Sequence, residues 1–237
     1  MHCRMCSLCA LVVVLAGSAA MAADVRFEDD FDSPPLDPAR WTKQEDPGCT
    51  VQVSGGVLQA LFTGGKTPWH AYAHSVEVAL PAGWTSFTLR GQWAYVDKVT
   101  GEMLMRLWDA DDDTAYVQAR YKTYGGEVFN ASSPGSAEQE ISRTAPATLA
   151  PFEWTVTPTG WTFQEYRGGQ WDLLADFATA HMAGAEAVRF KLGGWEYSAT
   201  TLQRTDYDDI ELTVLPEPGC GALLLLGAAA LVRRRRR

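Results

Sequence analysis

The sequence is poor in cysteine that could stabilise a fold. Three of its five cysteines, Cys3, Cys6 and Cys9, lie in the first ten positions, and Cys220 lies close to the C-terminus. The N-terminal three have the spacing of a metal cluster, but they belong to a segment with the composition of a secretory leader. Cys49 is then the single cysteine between the two ends. An intramolecular disulfide is therefore excluded, and the domain must be held together by its hydrophobic core.

Signatures of hydrolytic and zinc-dependent chemistry are missing as well. No Gly-x-Ser-x-Gly motif occurs, and nothing in the sequence marks a base for Cys49. His70 and His74 are four residues apart, which suits zinc only on a helix; on a strand they share a face but lie too far apart. His181 has no metal-binding spacing with Cys, Asp or Glu. The sequence therefore indicates neither an esterase, nor a protease, nor a zinc site.

Positive charge is scarce between the two ends. The formal net charge of the whole chain is −9. Setting aside Arg4, Glu217 and the five C-terminal arginines leaves 14 basic and 28 acidic residues, a net charge of −14. This excess disfavours nucleic acid and anionic lipid as partners, and it suits a soluble surface protein or one that binds cations.

The first 23 residues have the order of a signal peptide. Arg4 precedes an apolar run, Leu8–Gly17, and the small residues that follow include Ala20-Met21-Ala22. That tripeptide has the A-x-A pattern of a cleavage site. A transmembrane anchor would need a longer apolar run. We therefore expect residues 1–23 to form a signal helix that is removed on export.

The C-terminus contains three elements in sequence. Pro216, Glu217, Pro218 and Gly219 are followed by an apolar run from Cys220 to Val232 and then by five arginines. Arginine enters hydrocarbon only at high cost, so the arrangement is typical of a short transmembrane helix that stops on the cytoplasmic side. This tail resembles a PEP-CTERM sorting signal. The resemblance implies recognition by an exosortase, contact with the membrane during export, and delivery across the inner membrane of a Gram-negative-type bacterium to the cell surface or extracellular matrix.

The residues between the two ends are expected to be all-β. Runs that alternate apolar and polar residues, or are rich in β-branched and aromatic residues, are separated by Gly, Pro, Asp and Asn clusters. So many strands in one domain require two packed sheets. We therefore expect a two-sheet antiparallel sandwich of the jelly-roll type over residues 24–214, between a signal segment (1–23) and a sorting segment (215–237). The predicted strands are Val25–Phe31, Thr50–Val53, Val57–Phe62, Ala71–Ala79, Ser86–Val96, Met103–Trp108, Thr114–Tyr121, Glu153–Thr157, Trp161–Tyr166, Trp171–Leu174, Val188–Leu192 and Asp208–Val214.

The clearest local pattern is a meander of three strands in Glu153–Leu174. Apolar and polar residues alternate on each side of a Pro-Thr-Gly turn, and Gly168-Gly169 supplies the positive φ angles of a second tight turn. Together with the opening stretches Phe27–Phe31 and Leu36–Trp41 and the closing stretch Asp206–Val214, this meander resembles concanavalin A-like and laminin G-like sandwiches. The resemblance implies a lectin- or glucanase-type fold for most of the chain.

The closing strand suggests a metal ion. Ile210, Leu212 and Val214 alternate and are expected in the core, and Asp208 has the same parity, so it is expected to point inward, where an unpaired carboxylate is costly. The resemblance implies a structural calcium that bridges the first and last strands. The alternative is that these carboxylates cap backbone amides at the strand ends. The candidate ligands are Glu28, Asp30, Asp206, Asp208 and Asp209.

The hairpin that contains Met103–Trp108 and Thr114–Tyr121 presents a candidate binding face. One parity is apolar and is expected in the core, whereas the other carries aromatic and bidentate donor side chains, which suit sugar rings and paired hydroxyl groups. The alternative is that a loop or third layer covers this face and Trp108 is ordinary packing. The candidates are Arg106, Trp108, Tyr116, Gln118 and Arg120 on the hairpin, with Trp69 and Trp195 at its rim.

Catalysis is not expected. A retaining glycoside hydrolase of the laminarinase type would carry two glutamates on one strand face, in an E-x-D-x-E or E-x-D-x-x-E order. Glu153, Glu165, Glu196 and Glu211 each lack such a partner. The sequence therefore predicts a non-catalytic exported protein that binds polysaccharide or has a structural role. The alternative is a divergent glycoside hydrolase or polysaccharide lyase whose carboxylates come from loops.

Overall fold

This computed structural model describes residues 24–63, 69–97, 100–196 and 202–216. The predicted signal helix, residues 217–219 of the sorting motif, the apolar run and the arginine tail lie outside the described residues. None of the described residues belongs to a helix with the length and hydrophobicity needed to cross a membrane.

The described residues form strands joined by turns and loops. The strands, in chain order, are β1 (Asp24–Asp29), β2 (Trp41–Glu45), β3 (Cys49–Ser54), β4 (Val57–Phe62), β5 (Trp69–Ser75), β6 (Val78–Ala79), β7 (Trp84–Asp97), β8 (Gly101–Asp109), β9 (Asp112–Lys122), β10 (Val128–Ser132), β11 (Gln139–Ser142), β12 (Ala150–Val156), β13 (Trp161–Arg167), β14 (Gln170–Phe177), β15 (Ala187–Glu196) and β16 (Gln203–Pro216).

These strands form two sheets of eight strands, and every pairing is antiparallel. In sheet A the order is β14-β13-β12-β7-β16-β4-β3, with β1 also paired to β16. In sheet B the order is β11-β10-β9-β8-β15-β5-β2, with β6 also paired to β15. Since β16 and β15 are long, each pairs with two different strands along one of its edges. The predicted two-sheet antiparallel sandwich is confirmed.

The sequence patterns located most of the strands. Each of the twelve predicted strands overlaps an observed one, and the meander of β12, β13 and β14 is confirmed. Ala71–Ala79, predicted as one strand, is two: β5 and β6 both pair with β15 but are separated by Val76-Glu77. The sequence patterns missed β2 and β11, which contain one apolar residue each, and β10, which is only five residues long.

The space between the sheets is filled largely by aromatic rings. Trp93 on β7 is fully buried, and its ring centroid lies 5.2 Å from the centroids of Tyr121 and Phe163 and 5.7 Å from that of Phe152. Tyr121 belongs to sheet B and the other three to sheet A, so the cluster joins the sheets. Aromatic pairs in this distance range contribute about 0.5–1.5 kcal/mol each beyond the area they bury.

The last strand departs from the predicted alternation. Tyr207 and Ile210 both face the core, because the register of β16 with β7 shifts after Asp208 and Asp209 has a φ of 50°. Such a β-bulge places two residues opposite one and changes the parity of the strand. The prediction that Asp208 points inward is therefore wrong: its side chain is half-buried at the bulge.

Candidate functional site

The outer face of the β8–β9 hairpin carries the predicted candidates. Met103, Met105 and Leu107 on β8 are fully buried between the sheets, as are Val117 and Ala119 on β9. The alternate residues face outward; Glu102 and Leu104 at the start of β8 are buried, and those nearer the turn are half-buried. Cross-strand register places Trp108 opposite Tyr116 and Arg106 opposite Gln118. The predicted division of this hairpin into a core face and an outer face is confirmed. The outward residues are Arg106, Trp108, Tyr116, Gln118 and Arg120.

Two further strands extend this face across sheet B. β15 lies between β8 and β5, and its Lys191 is in register with Arg106 on one side and with His74 on the other. Arg189 is in register with Trp108. Because directly opposed residues share a face, the three strands present one continuous surface. We call the following set the aromatic–basic face: Tyr72, His74, Arg106, Trp108, Tyr116 and Lys191.

An open cleft of about 220 Å³ lies in this face, between His74, Arg106, Trp108, Asp113 and Lys191. The Trp108 and His74 rings meet edge to face, with centroids 6.0 Å apart. Trp108 is half-buried and lines the cleft, so the part of the chain that the structure describes does not cover the face around Trp108. The alternative that Trp108 is covered core packing is therefore not supported by the described residues.

Two cation–π contacts organise the basic side chains. The Arg106 guanidinium lies over the Tyr116 ring, 3.9 Å from its centroid, and Nη2 of Arg106 donates to the Asp113 carbonyl oxygen at 2.6 Å. The Lys191 ammonium lies over the Tyr72 ring, 4.2 Å from its centroid. An aromatic ring attracts a cation through its negative face but supplies no hydrogen-bond acceptor lone pair. Both cations are held in place without being neutralised by these contacts.

Burial and like charge shift the titration of this face. Burial, and secondarily the Arg106 charge, lower the pKa of Lys191 to about 8. Burial, followed by the charges of Lys191 and Arg189, lowers the pKa of His74 to about 4. At pH 7 the lysine is therefore a cation and the histidine is neutral. The Nε2 atom of His74 lies 3.2 Å from the Gln44 side-chain oxygen.

Arg120 belongs to an ionic network beside this face. Its Nη1 lies 3.2 Å from a carboxylate oxygen of Glu102, which is 1% exposed, and its Nη2 donates to Glu138 at 2.9 Å. Tyr124 also donates to Glu102, at 2.7 Å, and Nε of Arg120 donates to Asn130 at 2.9 Å. Because its donors are occupied, Arg120 positions the sheet rather than presenting a free guanidinium.

The two predicted rim tryptophans differ in what the structure describes. Trp195 is in register with Glu102 and His70, and its ring stacks on the His70 ring with centroids 6.3 Å apart. Nδ1 of His70 lies 2.7 Å from an Asp46 carboxylate oxygen. Trp195 therefore shares the outer face of sheet B, as predicted. Trp69 begins β5, and its side chain lies outside the described residues.

Gly193 makes this arrangement possible. It lies on β15 between Lys191 and Trp195, in register with Tyr72, and has a φ of 149°. A Cβ atom at this position would lie 2.0 Å from the Ala71 carbonyl oxygen and 2.8 Å from the Tyr72 ring. Glycine therefore lets the β5 backbone and the Tyr72 ring approach β15 closely enough for the contact with Lys191.

The structure brings only some of the predicted calcium ligands close to one another. Glu28, Asp30 and Asp209 line one open cleft of about 410 Å³, together with Asp29 and neighbouring residues. Among the described ranges, no group of three or more His, Cys, Asp or Glu side chains is placed to hold a metal ion. The described donors therefore do not form a preorganised calcium site.

Several of these carboxylates already have partners. Asp206 is buried and paired with Arg204, whose Nε lies 2.7 Å from Oδ1 of Asp206. Asp209 accepts from Nε2 of Gln92 at 2.6 Å. Burial, followed by the charges of Asp209, Asp32 and Asp30, raises the pKa of Asp208, so these three carboxylates lie close enough to repel that of Asp208.

Sequence reasoning missed Lys191 and the role of Glu102. Lys191 alternates with buried Val188, Phe190 and Leu192, so its outward direction was readable from the sequence. Its position opposite Arg106 could not be predicted, because the two residues are 85 positions apart in the sequence. Glu102 lies one residue before the predicted strand, and nothing in its local sequence indicates a buried carboxylate.

Comparisons with known proteins identify the fold and no closer relationship. No protein-family model matches the chain, and no curated protein matches it in sequence. A sialidase structure matches 83% of the chain with a TM-score of 0.60 and 13% identity, but the matched part is 19% of the sialidase.

Two smaller proteins match over nearly their whole lengths. A pseudo beta-1,3-glucanase of Mycobacterium tuberculosis matches 79% of this chain and 98% of its own, with a TM-score of 0.57 and 12% identity. The lectin UEA-II, in complex with galactose, matches 81% and 99%, with a TM-score of 0.57 and 16% identity. The chain therefore has the concanavalin A-like β-sandwich fold of lectins and glucanases.

Proposed function

We propose that this chain is an exported cell-envelope or extracellular-matrix protein that binds polysaccharide without cleaving it. The ligand lies on the aromatic–basic face. The single observation that carries this proposal is that three strands of sheet B bring aromatic rings and hydrogen-bond donors onto one open surface around Trp108.

The chemistry of that surface suits sugars. The apolar face of a sugar ring packs on an aromatic ring, while its hydroxyl groups need donors and acceptors beside that ring. Trp108 supplies the ring, and Gln118, Lys191 and Arg106 supply polar groups next to it. The matched lectin is described in complex with galactose, and the matched glucanase-like protein is named a pseudo-enzyme. Both descriptions are compatible with a binding role on this fold.

The carboxylates beside this face support a non-catalytic role. A retaining hydrolase needs one carboxyl group to give a proton and a second to attack, with both reaching the sugar. Glu102 is buried beneath donors from Arg120 and Tyr124, and Glu138 is held by Arg120 and Asn130. The thiol of Cys49 is also unsuited to attack, because burial raises its pKa to about 11. We therefore propose binding rather than hydrolysis.

The binding proposal is tested by affinity electrophoresis. The full-length protein, in one mild detergent, is run through native gels that contain different polysaccharides. We expect retardation by at least one of them and loss of that retardation in Trp108→Ala. Trp171→Ala is the matched control, because Trp171 is 46% exposed on an edge strand of the other sheet. No retardation in any gel, or equal loss in both variants, would contradict the proposed site.

Hydrolysis is tested on the same polysaccharides. We expect no release of reducing ends by the wild-type protein during prolonged incubation. Release that disappears in Glu102→Gln would identify a divergent hydrolase instead. Release of unsaturated products would identify a lyase.

The export proposal rests on the two chain ends. We propose that an exosortase recognises the tail through Pro216–Gly219, before the apolar run and the arginines. The protein is expressed in a host with an exosortase and in the same host without it. We expect the wild-type protein to reach the surface only in the host with the exosortase. The Glu217→Ala variant should remain in the membrane fraction of both hosts. Equal delivery in the two hosts would refute exosortase processing.

A further inference from the structure

The aromatic–basic face also indicates which class of polysaccharide would bind. Resting on the proposed carbohydrate binding, we propose that the ligand is acidic, with a carboxylate or sulfate group of a sugar unit lying between Lys191 and Arg106. Neutral glucans would bind the same face more weakly.

The primary observation is a row of basic side chains on three adjacent strands. Lys191 on β15 is directly opposite Arg106 on β8 and directly opposite His74 on β5. Directly opposed residues have Cβ atoms about 4.5–5.5 Å apart, and like charges in such pairs are destabilising. Sheets generally place opposite charges there. The pair of like charges at Lys191 and Arg106, on an otherwise acidic domain, therefore needs a reason, and an anion seated between these two cations supplies one.

Neither cation is neutralised by an acidic side chain in the described part of the protein. Among residues 24–63, 69–97, 100–196 and 202–216, Lys191 and Arg106 form no ion pair; their contacts are the two aromatic rings and the Asp113 carbonyl. Nε of Arg106 is buried and has no acceptor in the same ranges. By contrast, Arg189 on the same strand pairs with Glu77 at 3.4 Å. The positive charges of Lys191 and Arg106 are thus left for a ligand.

The acidic residues close to the cleft do not cancel this charge. Asp111 in the β8–β9 turn and Asp112 and Asp113 at the start of β9 are exposed to solvent; Asp113 also lines the cleft, but in water its carboxylate interacts only weakly with the cations. Carboxylates of Asp109 and Asp112 accept from backbone amides within that turn. The groups that depress the pKa of Lys191 and His74, after burial, are all cations. The nearby charges that act on Lys191 and His74 are therefore positive.

The shape of the cleft fits one charged group on one sugar. Its volume of about 220 Å³ is below the roughly 300–1,000 Å³ of pockets that enclose a whole drug-sized ligand. A chain of sugars would therefore lie across the face, with one ring near Trp108 and its anionic group at the cations. Hydrogen bonds between a partly buried cation and an anion are stronger than neutral ones. Because the domain as a whole is acidic, a polyanion gains no general attraction, and selectivity depends on this local site.

The test compares chemically matched polymers. The full-length protein in mild detergent is run through gels that contain polygalacturonate or its methyl ester, and dextran sulfate or dextran. We expect retardation by an acidic polymer that its neutral counterpart does not produce, or produces at about 10-fold higher concentration. Polygalacturonate alone identifies a carboxylate ligand and dextran sulfate alone a sulfate ligand. Both outcomes support the inference.

Variants then locate the anion. Lys191→Met keeps the packing stem and removes the charge, and we expect affinity for the acidic polymer to fall about 10- to 100-fold. Lys191→Arg should retain it. Arg189→Met is the matched control, with the same charge change on the same strand, and should change affinity less than about 3-fold. Near-UV circular dichroism checks that each variant folds. If a variant does not fold, the comparison of matched polymers on the wild-type protein still tests the inference.

The outcomes separate this inference from the proposed function. Equal retardation by the acidic polymers and their neutral counterparts would refute the acidic ligand and leave carbohydrate binding intact. If neither the four polymers nor any other polysaccharide retards the protein, both the acidic ligand and the proposed carbohydrate binding are refuted. Equal losses in Lys191→Met and Arg189→Met would show general charge attraction and overturn the assigned site.

Discussion

The side-chain hydroxyl of Tyr207 lies 2.8 Å from the carbonyl oxygen of Gly193, across the interface between the two sheets. Tyr207 belongs to β16 of sheet A and is fully buried, whereas Gly193 lies in β15 of sheet B beneath the aromatic–basic face. The Leu104 carbonyl oxygen is 3.0 Å from the same hydroxyl. One proton serves two acceptors, so the last strand directly supports the backbone that positions Lys191 and Tyr72.

We expect Tyr207→Phe to lower the free energy of unfolding by about 1–2 kcal/mol, because two buried carbonyl oxygens lose a donor while the ring still fills its space. Denaturant unfolding measures the change. Tyr166→Phe is the control: Tyr166 is 39% exposed, so its loss should be within about 0.5 kcal/mol. Equal stability of wild type and Tyr207→Phe would show that the contact between sheets adds nothing.

Glu165 is the most heavily bonded carboxylate in the described core. It accepts from Nε1 of Trp93 at 2.8 Å and from the Tyr121 hydroxyl at 3.0 Å, and it pairs with Arg143 at 3.0 Å and Arg167 at 2.7 Å. Glu165 is itself completely buried. It therefore ties the aromatic cluster of the core to two arginines at the end of the sandwich.

We expect Glu165→Leu to destabilise the protein by about 3–5 kcal/mol, because the change leaves buried donors and positive charge without their acceptor. The exposed pair between Glu153 and Arg90, 2.8 Å apart, provides the control, and Glu153→Leu should cost less than about 1 kcal/mol. Urea denaturation of both variants gives the comparison. Similar costs for the two changes would mean that burial of the Glu165 network is energetically unimportant.

Glu196 should make stability depend on pH. It is completely buried, and its carboxylate oxygens have no hydrogen-bond partner among the described residues; burial raises its pKa from 4.5 to about 7. Between these values the folded state holds a proton that the unfolded state has lost. The unfolding free energy contributed by this group therefore falls as pH rises from about 4.5 to 7, and stays low above it.

The measurement is a series of thermal melts from pH 5 to pH 8 on wild type and Glu196→Gln. Because other groups titrate in both proteins, the difference in Tm between the two is the quantity to follow. We expect the Tm of Glu196→Gln, relative to that of the wild type, to increase as pH rises. A pH-independent difference would show that Glu196 does not titrate in this range in the folded state.

Substitution of Asp208 tests both the repulsion between this carboxylate and its acidic neighbours and the predicted calcium site. With EGTA present, we expect Asp208→Asn to raise Tm slightly, because it removes a charge that is raised in energy by burial and by Asp209, Asp32 and Asp30. If calcium binds these carboxylates, it should raise the Tm of the wild type and do so less in the variant. No change in the wild-type Tm on adding calcium would refute the predicted calcium site. A lower Tm for the variant in EGTA would contradict the repulsion.

Periodicity in the sequence was enough to predict the class of fold and the division of the hairpin into two faces. Alternation has a period of two in any strand, so Met103, Met105 and Leu107 had to share the core face and Arg106 and Trp108 the other. The same local rule failed at Asp208, because a bulge inserts a residue that no periodicity announces.

Contacts between residues on different hairpins depend on the packing of whole sheets. Lys191 reaches Arg106 and His74 because β15 lies between β8 and β5, an order set by how two whole sheets close around one core. Local propensity cannot encode a pairing between residues 85 positions apart. The candidate binding face therefore exists as a pattern in one hairpin, and becomes a charged cleft only when strands distant in sequence are packed side by side.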